Sequence, residues 1–368
     1  MLSRRRFAVT ASLVAASPLA LHGCTPSDKN GEYEEAARAI WRPPQHDLSN
    51  GALLQRELVR YATLAPSSHN TQCWKFALSD QSISILPDLT RRCPAVDPDD
   101  HHLYVSLGCA AENMVQAALA NGLYGEDVFE TTPVDVLKIN LQPTRPVESP
   151  LFKAISERQC TRAEFDGQPV SSEDLRLLAL AGTGKGVALL LFTEKPAMEK
   201  ILEYVVQGNT AQMNDAAFVA ELKTWIRFSD AEAVRTGDGL FERSSGNPSV
   251  PRWVASPLFP VFFRTDSEND KYAKHIRSSA GIAVFISDAN DKAHWIETGR
   301  CYERFALQAA ALGIRNAFLN QPVEVGSIRP QFASYLGIGQ RRPDLVVRFG
   351  RGSLMPQSLR RPLDAVLV

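Results

Sequence analysis

Several short signatures are missing from this chain. It has no HExxH pair to hold zinc on one helix face, no GxSxG elbow to present a serine, and no CxxC pair. Histidine is scarce, at seven in 368 residues, so chemistry built on clustered imidazoles has little to draw on. An excess of one charge is also missing: 40 basic residues face 41 acidic ones, for a net charge of -1, which offers no field for a nucleic acid. The one apolar stretch of any length, Phe7 to Leu21, is too short and too alanine-rich to be a good membrane span. What the chain does have is length, enough to bury a large core and to predict two domains or one large composite domain.

The first residues, "MLSRRRFAVTASLVAASPLALHGC", combine a basic head at Arg4–Arg6 with that apolar run and a cysteine after Gly23. This pattern is an export signal. Ser3-Arg4-Arg5-Arg6-Phe7 resembles the twin-arginine signal, whose translocon carries folded cargo with its cofactor already bound. "LHGC" resembles a lipobox, with His22 an unusual occupant, and would make Cys24 a lipidated residue. The expectation is an exported protein, periplasmic or tethered to a membrane. Five other cysteines remain, Cys73, Cys93, Cys109, Cys160 and Cys301. An odd set without close pairs makes neither a disulfide framework nor a zinc site. Cys109 and Cys301 fall in apolar helical patterns and read as packed thiols. Residues 25–49, with "RPPQ" among them, read as a tether and wrapping arm.

From residue 50 the chain becomes periodic. "GALLQRELVRYAT" (51–63) places Leu54, Leu58, Val59 and Ala62 on one helical face, and "CWKFALSDQSISILPD" (73–88) alternates as a hairpin turning at Asp80-Gln81. Between them lies "LAPSSHNTQ". Ser67, Ser68, His69, Asn70, Thr71 and Gln72 both donate and accept hydrogen bonds without fixed charge. That suits a flat heterocycle rimmed with carbonyls and N–H groups; it also suits an ordinary polar cap on a strand.

Two later helices resemble each other. "HLYVSLGCAAENMVQAALANGL" (102–123) and "HWIETGRCYERFALQAAALGI" (294–314) each carry a cysteine seven residues before Gln-Ala-Ala, and Gly122 and Gly313 stand at the left-handed stop position. The likeness is loose enough that two amphipathic helices could share it by coincidence. If the halves are related, the second needs its own helix–loop–strand, and "SSEDLRLLALAGTGKGVALLLF" (171–192) supplies one. Its "AGTGKG" is not a phosphate-binding loop, because Ala179 stands where the first glycine is required and Gly186 follows Lys185. It reads as a degenerate copy, which implies one site in the chain. "GIAVFISDAND" and "PDLVVRFG" (343–350) read as strands around the second repeat helix.

Arginines recur in pairs in the second half. Arg158 and Arg162 in "RQCTR", four apart, can aim two forked guanidinium groups at one point, and Arg360 and Arg361 follow near the C-terminus. Solvated surface arginine is the plain alternative for each.

Taken together, these segments resemble the nitroreductase family. "LAPSSHNTQCWKF" resembles its Ser-Ser-x-Asn-x-Gln-Pro-Trp loop, "RQCTR" its Arg-x-Ser-x-Arg motif, and "RRPLDAVL" its C-terminal arginine segment. The stretch 218–248 is similar to the Acg-type subgroup, a fused pseudo-dimer that binds one FMN beneath a lid. The resemblance implies an α+β fold: two related halves, 50–149 and 150–368, each an antiparallel sheet with packed helices, with a helical lid inserted at about 205–270. It implies an FMN-dependent oxidoreductase passing electrons to a nitro-aromatic, quinone or activated alkene, or else a protein that holds FMN with little turnover, and functional as a monomer. Ser67, Ser68 and Asn70 would meet the flavin, with Gln72 supporting the loop. Arg158, Arg162, Arg360 and Arg361 would bind its phosphate and pyrimidine end, and Leu319 and Asn320 would lie near N5. Cys73 replaces the expected proline and Cys160 the expected serine or threonine. Trp225, Phe228, Phe241 and Trp253 are available either to cover the ring or to pack a core.

Overall fold

The computed structural model describes residues 30–43 and 51–368; the export signal, Cys24 and residues 25–29 and 44–49 of the expected tether lie outside the described residues. In the first half, α1 (Asn30–Ile40) and α2 (Gly51–Thr63) precede the hairpin β1 (Trp74–Ser79) and β2 (Ser82–Pro87). Then come α3 (His101–Ala120), β3 (Leu123–Glu130), β4 (Val136–Pro143) and the short α4 (Pro150–Ala154). The second half opens with α5 (Ser172–Ala181) and β5 (Val187–Phe192). A helical excursion follows: α6 (Lys195–Met213), α7 (Ala216–Trp225), β6 (Ile226–Arg227), α8 (Asp230–Thr236), β7 (Leu240–Phe241), α9 (Arg252–Phe262) and α10 (Thr265–Arg277). The half closes with β8 (Gly281–Ser287), α11 (Lys292–Ala311), β9 (Arg315–Phe318), α12 (Gln321–Glu324), α13 (Arg329–Leu336) and β10 (Arg342–Gly350).

The two sheets share one topology. Strand order is β1-β2-β4-β3 in the first and β5-β8-β10-β9 in the second, antiparallel throughout. Matching them strand by strand equates β5–β8 with the hairpin β1–β2. The excursion 193–280 therefore occupies the place of the two-residue turn Asp80-Gln81. The fold is α+β with two related halves, and its inserted segment sits at a hairpin tip, where added chain disturbs neither sheet.

The repeat helices form the seam. α3 crosses α11 so closely that a Cβ on Gly108 would lie 1.9 Å from the Ile296 carbonyl oxygen, and one on Gly299 would lie 2.0 Å from that of Val105. Gly122 and Gly313, with φ of 77° and 68°, end the two helices in the left-handed conformation expected of them. Cys109 and Cys301 are buried, and the Cys109 thiol donates to the Gly299 carbonyl at 3.2 Å.

Each half also lends chain to the other. Leu367 pairs in parallel with Phe76 of β1, and Cys160 with Asn316 of β9. In the second sheet β8 is buried on both faces: Ala283 and Phe285 join the main core against α11, while Ile282, Val284 and Ile286 pack on Met198, Ile201 and Val205 of α6. α6 and α10 cover the sheet and also border the cavity, through Asn209 and Gln212 of α6 and Glu268, Lys271 and Tyr272 of α10. The arm before residue 50 is also more ordered than its composition implied, since α1 packs Tyr33 on Phe241 with ring centroids 4.4 Å apart.

Candidate functional site

The seam leaves one cavity of about 290 Å³ between the halves and under the excursion. The loop after α2 gives Pro66, Ser67, Ser68 and His69, α3 gives His102, Val105 and Ser106, and the second half gives Phe318, Leu319, Asn320, Leu345 and Arg348. Phe218, Leu222, Ile226, Phe259 and Phe263 form the roof. Polar and charged side chains share the lining with these apolar ones, among them Glu242, Glu268 and Glu324 beside Arg162, Lys271 and Arg348.

The polar loop earns its shape from contacts made behind it. His69, Asn70 and Gln72 all hold positive φ, at 49°, 53° and 54°, a conformation that non-glycine residues adopt only when their surroundings enforce it. The enforcing bonds are visible. Gln72 N–H donates to Ser67 Oγ at 2.9 Å, Asn70 Nδ2 donates to the carbonyls of Gly239 and Leu359, and Gln72 Nε2 donates to that of Gly237. Arg361 N–H donates to Gln72 Oε1 at 2.8 Å. Asn70 and Gln72 therefore face away from the cavity and tie the loop to the excursion and the C-terminal segment. Ser67, Ser68 and His69 are left facing inward.

The arginines divide more sharply than their spacing suggested. Arg162 lines the cavity, and no hydrogen bond or ion pair engages its side chain among the described residues. Arg158 does not line it. Its Nε sits 3.1 Å from Glu303 Oε1 in the core, and its Nη2 donates to the Leu64 carbonyl at 3.0 Å. Arg360 is likewise buried, donating to the carbonyls of Thr63, Leu64 and Ala65. Both guanidinium groups thus cap the C-terminal end of α2, whose last carbonyls have no partner within the helix and carry the negative end of its dipole. Arg361 donates to Ala365 O at 2.8 Å and lies 3.9 Å from Asp88. Of the four arginines expected at the phosphate and pyrimidine end of the flavin, only Arg162 lines the cavity, while the side chains of Arg158, Arg360 and Arg361 bond to protein groups around the loop.

Other cations fill the gap. Lys271 and Arg348 line the same cavity. Arg348 donates to Thr161 O at 3.0 Å and Ala163 O at 2.7 Å, with its guanidinium 4.1 Å over the Phe165 ring. It clamps the backbone on either side of Arg162 and so aims that side chain; burial and the charge of Arg162 push its pKa down to about 9. The signal for Arg348 was present in "PDLVVRFG", an arginine inside an apolar strand. Cys160 also lines the cavity, 3.9 Å from Tyr302 Oη. Cys73 is buried instead, and desolvation pushes its thiol up to about 12.

At the second-half wall, Leu319 N–H is committed to Val346 O at 2.7 Å. Asn320 Oδ1 accepts from Val346 N–H, which turns its amide nitrogen toward His102 Nε2 at 3.4 Å. That amide donates, so we assign the His102 proton to Nδ1, facing Asp97 Oδ1 at 3.7 Å. Asp97, His101 and His102 bring donor atoms within 4.8 Å of one another, but 3.7 Å is too long for a hydrogen bond, and His101 Nε2 pairs instead with Asp344 at 2.8 Å. Burial lowers the His102 pKa and pushes Asp97 up to about 7, against backbone N–H bonds from His102 and Leu103. Burial, with help from Arg162, also pushes His69 down to about 4, and burial with Arg348 and Lys271 pushes His275 down to about 3, so the three cavity histidines are neutral at neutral pH.

The expected covering aromatics are placed elsewhere. Phe228 packs with Ile226 and Phe259, Phe241 packs on Tyr33, Trp225 lies beneath the guanidinium of Arg91, and Trp253 faces solvent.

Fold and site together define a two-lobed α+β protein with a cavity between its lobes, lined by apolar, cationic and acidic side chains. Along 85% of its length the chain is 24% identical to "Putative NAD(P)H nitroreductase Rv3131" of Mycobacterium tuberculosis, covering 90% of that protein. It is 24% identical to "Putative NAD(P)H nitroreductase acg" of the same organism, over 84% of this chain and 94% of that one. Among solved structures, a nitroreductase with bound FMN from Desulfitobacterium hafniense is 14% identical, covering 58% of this chain and 96% of its own, with a TM-score of 0.38. No family model matches the sequence.

Proposed function

We propose that this protein is an FMN-dependent oxidoreductase of the nitroreductase type. The observation that carries the reading is the cavity itself. It lies between two lobes, its walls mix apolar and polar side chains, and Arg162, without a hydrogen-bond or ion-pair partner among the described residues, lines it. The names of the mycobacterial relatives and their coverage of nearly the whole chain support the same reading. In it, Arg162 and Lys271 hold the phosphate of FMN, Ser67 and Ser68 offer hydroxyl groups to its polar edge, and Cys160 and the backbone at Asn320 border the ring. Each charge-assisted bond contributes roughly 1.5 to 3 kcal/mol. When bound, the flavin accepts two electrons from a nicotinamide and passes them to a nitro-aromatic, quinone or activated alkene; the protein binds, orients and excludes water. Export through the twin-arginine translocon, with Cys24 as a lipid anchor, belongs to the same proposal and rests on the N-terminal sequence.

The closed roof favours a second reading, in which the protein holds FMN with little turnover. The two separate in one experiment. For the oxidoreductase, NAD(P)H bleaches the flavin absorbance of the loaded protein, and Phe259→Ala with Phe263→Ala speeds the bleaching, because roof opening limits access. Bleaching by dithionite alone, in both proteins, would leave only the holding function.

A further inference from the structure

We propose that α9 is an interfacial helix by which the roof of the cavity docks on a lipid bilayer. Its sequence is "RWVASPLFPVF". At about 100° per residue, Trp253, Pro257, Pro260 and Val261 share one side, and Leu258 and Phe262 the adjacent one. Every one of these is exposed: Trp253 by 80%, Phe262 by 72%, Val261 by 60% and Leu258 by 43%. No charged residue interrupts that arc. The opposite side, with Phe259 and Phe263 at i and i+4, faces the cavity. A soluble surface rarely carries so continuous an apolar stripe without an occupant.

Three features choose a bilayer as that occupant. The stripe combines tryptophan and phenylalanine with an exposed guanidinium, Arg264, at its end, the mixture favoured where headgroups meet acyl chains. Two prolines leave the carbonyls of Trp253 and Ser256 without helical donors; Lys223 takes the second at 3.0 Å, and the first suits a hydrated headgroup layer better than a dry protein interface. The chain's start is tied to the same excursion. Only Thr25–Lys29 separate Cys24, the candidate lipid attachment, from α1, a reach of at most about 20 Å. α1 is fastened to the same excursion, through Tyr33 on Phe241 and through Glu34 to Arg243 at 3.0 Å. No helix among the described residues is long and apolar enough to cross a membrane, so α9 would lie in the surface.

Docking would place a second feature at the bilayer. A groove formed by Met213, Val219, Phe259, Pro260 and Phe263 opens beside α9 and shares its two phenylalanines with the cavity. An apolar ligand dissolved in the bilayer would meet this groove without crossing water. The docking face is independent of what fills the cavity, so its test needs no flavin signal.

The test uses the full chain reconstituted on phosphatidylethanolamine–phosphatidylglycerol vesicles, with lipids brominated along their acyl chains as quenchers. The emission of Trp253 is obtained as wild type minus Trp253→Phe. We expect it to shift to the blue and to be quenched roughly twofold or more, as for a ring sunk about 5–10 Å into the interface. In Val261→Ser with Phe262→Ser the quenching should disappear while the Tm stays unchanged, since both side chains are exposed. Emission of Trp253 that is identical in water and on vesicles would overturn the proposal. So would shielding of Trp253 that grows with protein concentration in the absence of lipid, which would assign the face to a second copy of this chain.

Discussion

Replacing Arg158 by methionine will lower the Tm by roughly 10 °C, while the same change at Arg162 will leave the Tm nearly untouched and cost the protein its ligand. The two arginines are four residues apart and look interchangeable in sequence. Arg158 is buried against Glu303, which has no exposed surface. Removing one partner of a buried ion pair costs about 3–5 kcal/mol, because the remaining charge is left in a low-dielectric core, and a chain of this size loses roughly 2–4 °C per kcal/mol. Converting Glu303 to leucine in the Arg158→Met protein should restore much of the loss. The pH dependence has a definite sign. Burial pushes the Glu303 carboxyl from its ordinary 4.5 up to about 7, with Arg158 opposing the shift. A carboxyl with a raised folded pKa stabilises most when protonated in both states, below about 4.5, and that contribution fades as pH climbs through 7. Without Arg158 the fading is steeper, so the deficit should be larger at pH 8 than at pH 5 in thermal melts.

Gly108→Val should be the most damaging single substitution in the seam. Even a methyl group at this position would meet the Ile296 carbonyl oxygen at 1.9 Å, and that oxygen belongs to helix backbone that cannot rotate away. Overpacking in a close helix crossing costs about 3 kcal/mol or more when the obstacle is main chain. Since α3 and α11 carry the walls and frame of the cavity, prising them apart should also abolish ligand retention. Gly108→Ala gives the graded version, with a large fall in Tm and residual folding. Gly326→Ala is the control: nothing lies within 4 Å of its added Cβ, so the Tm should be unchanged. A normal Tm for Gly108→Ala would mean that the helices do not cross as described.

The sequence announced its local structure well and its long-range pairings poorly. α2 occupies Gly51–Thr63, the hairpin turns at Asp80-Gln81, and Gly122 and Gly313 take the left-handed conformation, because each of these is decided by neighbours a few residues away. The inward-facing serines were legible for the same reason. What Arg158, Arg360 and Arg361 do was not. Arg158 and Arg360 reach Glu303 in α11 and carbonyls at the end of α2, across as many as 297 residues of chain, and Arg361 reaches Gln72, Asp88 and Ala365. A pair of arginines looks the same in sequence whether it awaits an anion or caps a helix. Arg348 escaped attention although its place within an apolar strand was visible, and Lys271 had no local mark at all. The sequence left Trp225, Phe228, Phe241 and Trp253 open between a ring cover and a core, because tryptophan and phenylalanine suit either; Phe228 and Phe241 pack in cores, and only the helical phase of α9 separates Phe259, which looks inward, from Trp253, which looks out.

The most direct test of the account is an equilibrium titration of the purified chain with FMN, following quenching of flavin fluorescence, for the wild type and for Arg162→Met. The account predicts one FMN per chain for the wild type. It predicts affinity lower by roughly 10- to 100-fold for the variant, as loss of one charge-assisted phosphate contact requires, with an unchanged Tm. A wild-type protein that binds no FMN, or an Arg162→Met protein that binds it equally well, would contradict it.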